Sequence, residues 1–89
     1  MQNRIEINYS RRFLKQISKL PSRIFNLAEK KEKIFRENPF DFRLNTHKLH
    51  GKEKEAWVFY VTESYRVKFI FLKERIVLFL EVGTYDIYK

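Results

Sequence analysis

Residues 57–82 constrain the fold more than any other stretch of the chain. Trp57-Val-Phe-Tyr-Val61, Tyr65-Arg-Val-Lys-Phe-Ile-Phe71 and Ile76-Val-Leu-Phe-Leu-Glu-Val82 are short runs rich in β-branched and aromatic residues. They are separated only by Thr62-Glu-Ser64 and Lys73-Glu-Arg75. Such runs read as three consecutive strands with tight connections.

Burial suggests a register. Pairing Phe71 with Ile76, Phe69 with Leu78, Val67 with Leu80 and Tyr65 with Val82 makes one face wholly apolar or aromatic. Pairing Val61 with Tyr65, Phe59 with Val67 and Trp57 with Phe69 extends that face across the first hairpin. A slip of one residue would move a strand's apolar set to the opposite face. The other face would then carry Tyr60, Arg66 and Glu81 in one row and Val58, Lys68 and Phe79 in the next.

The preceding segments supply a cover for the apolar face. Arg4-Ile-Glu-Ile-Asn-Tyr9 alternates with the period of a half-buried strand, Ile5, Ile7 and Tyr9 on one side. Ser10 suits a helix N-cap, and Phe13, Leu14, Ile17 and Leu20 follow at helical spacing. Pro21 ends this helix or opens the next. Residues 22–36 form a second stripe of Ile24, Leu27, Ala28, Ile34 and Phe35, with Lys31 on the same side. Both stripes read as core, and two helices joined so closely should pack as a hairpin on the sheet. Asn38-Pro39 then breaks the second helix. Residues 38–56 lack a clear period and hold His47, His50 and Gly51, a length of connection that is often functional. Gly83 is expected to allow a bulge or sharp bend that turns Tyr85 and Tyr88 back across the sheet. The expected fold is α+β, in the order β-α-α-β-β-β, an antiparallel sheet with a two-helix hairpin on one face. With 89 residues, the chain is one domain spanning 1–89.

Composition narrows the function. There is no cysteine, which removes disulfide and thiol chemistry. The N-terminus lacks the apolar run of a signal peptide and no segment has the length of a membrane span, so a cytoplasmic protein is expected. Nineteen Lys and Arg against eleven Asp and Glu leave a net charge of +8, which attracts polyanions such as nucleic acid or an acidic partner protein. Two histidines three residues apart, without cysteine or a third histidine, make a poor metal site. With two glycines there is no phosphate-cradling loop, and no Ser or Thr sits in a nucleophile elbow. No cofactor is expected.

Arg66, Lys68, Tyr60, Tyr85, Tyr88 and His47 remain as candidates around the open sheet face. RNA cleavage by internal attack needs a base for the 2′-hydroxyl, an acid for the leaving 5′-oxygen and cations for the phosphorane. Arginine suits the phosphate, imidazole exchanges protons near neutral pH, and tyrosine stacks on bases or transfers protons. The bland alternative is that Arg66 and Glu81 form a cross-strand ion pair and Tyr60 simply packs. Lys48, Lys52 and Lys54 join Lys68 and Tyr60 as candidate RNA contacts.

The order and spacing of His47-Lys-Leu-His-Gly51, Trp57, Tyr65-Arg-Val-Lys-Phe69, Ile76 to Val82-Gly-Thr-Tyr85 and Ile87-Tyr88 resemble the RelE/ParE toxin superfamily over nearly the whole chain. The resemblance implies a type II toxin that enters the ribosome and cuts mRNA, held inactive in a hetero-oligomer by a cognate, often acidic, antitoxin. It assigns Arg66 to the scissile phosphate and Tyr88 to the C-terminal catalytic tyrosine. Tyr85 falls where RelE-type toxins have an arginine and YafQ-type toxins a histidine, and His47 matches a YafQ-type histidine. The chain departs from the pattern at Val58 and Tyr60, where RelE-type toxins carry lysines, and near Val61, where YafQ-type toxins have a second histidine. Lys68 is the candidate substitute cation. Two alternatives share the fold: a ParE-like gyrase poison, and a degenerate toxin that only binds its antitoxin. Val58, Ile70, Leu72, Val77 and Phe79 on the open face are the candidate antitoxin landing site, unless the second helix or the 38–56 segment covers them.

Overall fold

The computed structural model describes residues 4–51, 55–84 and 87. Strand β1 (Glu6–Tyr9) leads into helices α1 (Arg11–Ser18) and α2 (Ser22–Glu37), then a 3-10 turn at Phe42–Leu44. The strands β2 (His47–Lys48), β3 (Ala56–Tyr60), β4 (Arg66–Lys73) and β5 (Ile76–Gly83) follow. The sheet order is β1-β5-β4-β3-β2. The α+β architecture and the helix hairpin are as expected from the sequence. Two features are not: the sheet is mixed, because β1 runs parallel to β5, and a short fifth strand, β2, emerges from the 38–56 segment and pairs with β3.

Local chemistry sets the helix ends. The Ser10 hydroxyl accepts from the Phe13 backbone N–H at 2.9 Å, capping α1. Pro21 caps α2 with φ −55°, where its missing N–H costs nothing. Lys31, out of place on an apolar stripe, donates from Nζ to the Arg43 carbonyl at 2.9 Å and so ties α2 to the 3-10 turn.

The core lies between the helices and one sheet face. Phe35 of α2 is fully buried at its centre, with ring centroids 5.1 Å from Phe59, 4.9 Å from Phe69 and 5.2 Å from Phe79. The last two contacts are edge-to-face, a geometry worth about 0.5–1.5 kcal/mol per pair beyond area burial.

The β3–β4 register is the expected one, with Trp57 opposite Phe69, Phe59 opposite Val67 and Tyr60 opposite Arg66. The β4–β5 register corrects the expectation. Phe69 faces Phe79 rather than Leu78, Val67 faces Val82 rather than Leu80, and Phe71 faces Val77 rather than Ile76. Two irregularities cause this, between Lys68 and Phe69 and between Phe71 and Lys73, leaving Leu80 and Leu72 as extra residues. Between the bulges, Val77 and Phe79 turn inward into the core, Phe79 against Phe35, and after Leu80 the alternation reverses so that Val82 also points inward. Burying Phe79 instead of Leu78 gives Phe35 an aromatic partner, and the extra residues permit it.

Beyond Phe79, strand β5 loses its neighbour, since β1 ends at Tyr9. Helix α1 takes over the edge. Ser10 N–H donates to the Phe79 carbonyl at 3.0 Å, the Ser10 hydroxyl to the Leu80 carbonyl at 2.7 Å, and Val82 N–H to Gln16 Oε1 at 2.8 Å. The bulged segment is thereby hydrogen-bonded on an edge that would otherwise be open.

Candidate functional site

The sheet face away from the helices carries the site. Alternation places His47, Val58, Tyr60, Arg66 and Lys68 there, opposite to Trp57, Phe59, Val67 and Phe69. The guanidinium carbon of Arg66 lies 4.0 Å from the centroid of the Tyr60 ring. Its Nε and Nη2 both donate to the Glu63 carbonyl, at 3.1 and 2.7 Å. The β3–β4 turn presents that carbonyl because the Thr62 hydroxyl accepts from the N–H groups of Ser64 and Tyr65 at 3.1 and 3.0 Å. Arg66 is thus held over a phenol ring by a hydrogen-bonded turn, at an open depression lined by Tyr60, Glu63, Ser64, Arg66 and Thr84.

His47 extends the row. Its ring centroid is 5.7 Å from that of Tyr60, edge to face. Its Nδ1 lies 3.0 Å from the Asn45 carbonyl oxygen. A carbonyl only accepts, so Nδ1 carries the hydrogen in this contact, and the basic nitrogen of the neutral ring is then Nε2. Asn45 can present its carbonyl this way because it sits in the left-handed region, φ 51°, where it closes the 3-10 turn. A guanidinium, an aromatic ring and a nitrogen able to accept a proton therefore line up across β4, β3 and β2.

The remaining candidates fare differently. Lys68 is buried, 3 % exposed, and its Nζ lies 2.9 Å from Glu81 Oε2. Glu81 stands opposite Lys68, not Arg66, and also receives Arg12 of α1 at 3.7 Å. The Arg66–Glu81 cross-strand pair expected as the bland reading is therefore replaced by Arg66 opposite Gly83. Lys48 lies on the helix side, its Nζ 5.8 Å from the Trp57 ring, away from Arg66. Tyr85, Tyr88, Lys52 and Lys54 fall outside the described residues. The proposed antitoxin landing site also needs correction. Val58, Val77 and Phe79 are at most 1 % exposed, Val77 and Phe79 because the bulges turn them inward; Leu72 alone of the five is well exposed, at 50 %.

Sequence reasoning overlooked Glu63, Ser64, Thr84 and Asn45. Asn45 and the Thr62-Glu-Ser64 turn carried the usual turn chemistry, but nothing in their spacing showed that they would border Arg66 and His47. Among the described residues, no group of three or more His, Cys, Asp or Glu converges in a way that would hold a metal ion, and no helix is long and apolar enough to cross a membrane.

No family model and no curated protein sequence matches the chain. Solved structures do. YafQ in the Escherichia coli DinJ–YafQ toxin–antitoxin complex superposes with a TM-score of 0.75 at 18% identity, covering 94% of this chain and 96% of that one. The YoeB/ParE toxin of Agrobacterium tumefaciens gives 0.78 at 9% identity, over 91% and 99%. The archaeal RelE–RelB complex of Pyrococcus horikoshii gives 0.72 at 16% identity, over 90% and 93%. With a five-stranded sheet, a helix hairpin on one face and the Arg66 row on the other, the chain has the fold of the RelE-, YafQ- and ParE-type toxins.

Proposed function

We propose that the protein is the toxin of a type II toxin–antitoxin system and cleaves mRNA on the ribosome. The observation that carries this reading is the His47–Tyr60–Arg66 row at an open depression. In the proposed reaction His47 Nε2 takes the proton of an RNA 2′-hydroxyl, whose oxygen bonds to the adjacent phosphorus. Arg66 balances the charge of the phosphorane, and Tyr60 offers a face on which a base can stack. The bond from phosphorus to the 5′-oxygen breaks, and that oxygen takes a proton from Tyr88, which the family pattern matches to the C-terminal catalytic tyrosine. The products are a 2′,3′-cyclic phosphate and a 5′-hydroxyl. Tyr85 remains a candidate catalytic residue, and Lys52 and Lys54 remain candidate contacts to the bound RNA. The net charge of +8 suits both RNA and an acidic antitoxin. Acting on ribosomes places the protein in the cytoplasm.

One observation favours a second reading. Lys68 is engaged with Glu81, so it does not make up for the cations absent at Val58 and Tyr60. A gyrase-poisoning toxin needs no such cations. A cell-free translation assay with end-labelled mRNA decides between them. Ribosome-dependent fragments ending in a cyclic phosphate are expected, with cleavage reduced about 100-fold or more by Arg66→Ala and by His47→Ala. Gyrase-linked DNA breaks without mRNA fragments would establish the second reading, and an antitoxin complex with neither activity would leave a binding protein only.

A further inference from the structure

Among the described residues, four buried ones lie outside the helix-side core. Ala56, Val58, Lys68 and Ile87 are each no more than 4 % exposed, yet none belongs to the cluster that packs under the helices. Register puts the first three on the site face. Ile87 is 2 % exposed, and its N–H donates to the Thr84 carbonyl at 3.2 Å.

Gly83 makes this seat. It is the last residue of β5 and the cross-strand partner of Arg66. Its backbone is not in the left-handed region, so backbone conformation alone does not call for glycine there. Its contribution is space: a Cβ at position 83 would stand 3.1 Å from Ile87 Cγ2. Any side chain there would press on Ile87, and the β-branched isoleucine has little rotamer freedom to yield. Next along the chain, Thr84 forms part of the wall of the Arg66 depression.

From this packing we infer that Ile87 is a positioning residue for the site: seated on Gly83 and bonded through its N–H to the Thr84 carbonyl, it fixes the wall at Thr84 beside Arg66. The inference rests on the ribonuclease reading for its catalytic consequence and on packing alone for the anchor. The anchor explains why a buried isoleucine sits only a few residues past the last strand, outside the helix-side core. It also gives glycine at position 83 a steric reason.

The test compares Ile87→Ala, Ile87→Val and Gly83→Ala in the full chain, by amide hydrogen exchange and by mRNA cleavage on ribosomes. Ile87→Ala is expected to speed exchange at residue 87 at least tenfold while the amides of Val67 and Phe69 stay protected. Its kcat should fall about tenfold with KM within twofold, and Ile87→Val should stay within threefold of the wild type. Gly83→Ala should show a weaker form of both effects. In an Arg66→Ala background, Ile87→Ala should add nothing further. Unchanged exchange at residue 87 overturns the anchor. Faster exchange with unchanged kcat, or an equal loss with and without Arg66, overturns the positioning role. If the wild-type chain cleaves no mRNA, the ribonuclease reading fails, and exchange alone then supports the anchor or overturns it.

Discussion

At the scale of single residues, charge placement departs most from what composition suggests. Arg66 lies at a depression, Lys68 pairs with Glu81, and Arg12 of α1 reaches the same carboxylate. Tyr9 shows the same dependence on surroundings. Its hydroxyl donates to Glu32, which also pairs with Arg36 at 3.1 Å. Partial burial first, and then the Glu32 hydrogen bond and charge, push its pKa up to about 12, while Arg36 pulls the other way. A raised phenol pKa means the folded state holds its proton where the unfolded chain has released it. This contribution to stability is complete below pH 10 and is lost as pH rises through about 12. Chemical denaturation between pH 10 and 12 should therefore show a steeper decline for the wild type than for Tyr9→Phe. Equal slopes would mean that Tyr9 ionises as freely in the folded protein as in the unfolded one.

Among the elements, β5 decides how the two faces are divided. A strict alternation would make Leu78 core and Phe79 surface. The bulges reverse this, leaving Phe79 1 % exposed among Phe13, Phe35, Phe59 and Phe69. Truncating an aromatic ring in such a place leaves a cavity that neighbouring rings fill poorly. Phe79→Ala should cost about 3–5 kcal/mol and Leu78→Ala less than about 2 kcal/mol, measured by urea unfolding. A reversed order would restore the uninterrupted register. The bulge at Leu80 then places Lys68 opposite Glu81, so the core and the buried ion pair are set by the two inserted residues together.

For the whole molecule, the excess of eight positive charges acts over distances beyond any one contact. Binding to ribosomes or single-stranded RNA should weaken with salt along a straight line of log affinity against log concentration. Four phosphate contacts would lower affinity about 50-fold between 50 and 200 mM salt. A flat response would count against a nucleic-acid target and favour a protein surface. Cleavage rates at saturating ribosome concentration should change far less, because Arg66 is held by Tyr60 and Glu63 in the protein itself.

Local pattern determined much of this protein. Ser10 as a cap, the stripes ending in Phe35, the alternation in β1 and the β3–β4 register all depend on neighbours close in sequence, or on one tight turn. Arg66 was identifiable for the same reason, since Tyr60 reaches it across that turn. Three things were decided only by the tertiary structure. The parallel pairing of β1 with β5 joins residues about 70 positions apart, and no local period reports it. The bulges at Leu72 and Leu80 exist because Phe79 packs better than Leu78 against Phe35, a choice that requires α2 to be in place. Lys68 reads as a surface cation in its strand and becomes a buried one only when Glu81 arrives beside it, after the bulge at Leu80. Residues 57–82 thus specify three strands by themselves, but which side of the last strand faces the core depends on the helix laid across them.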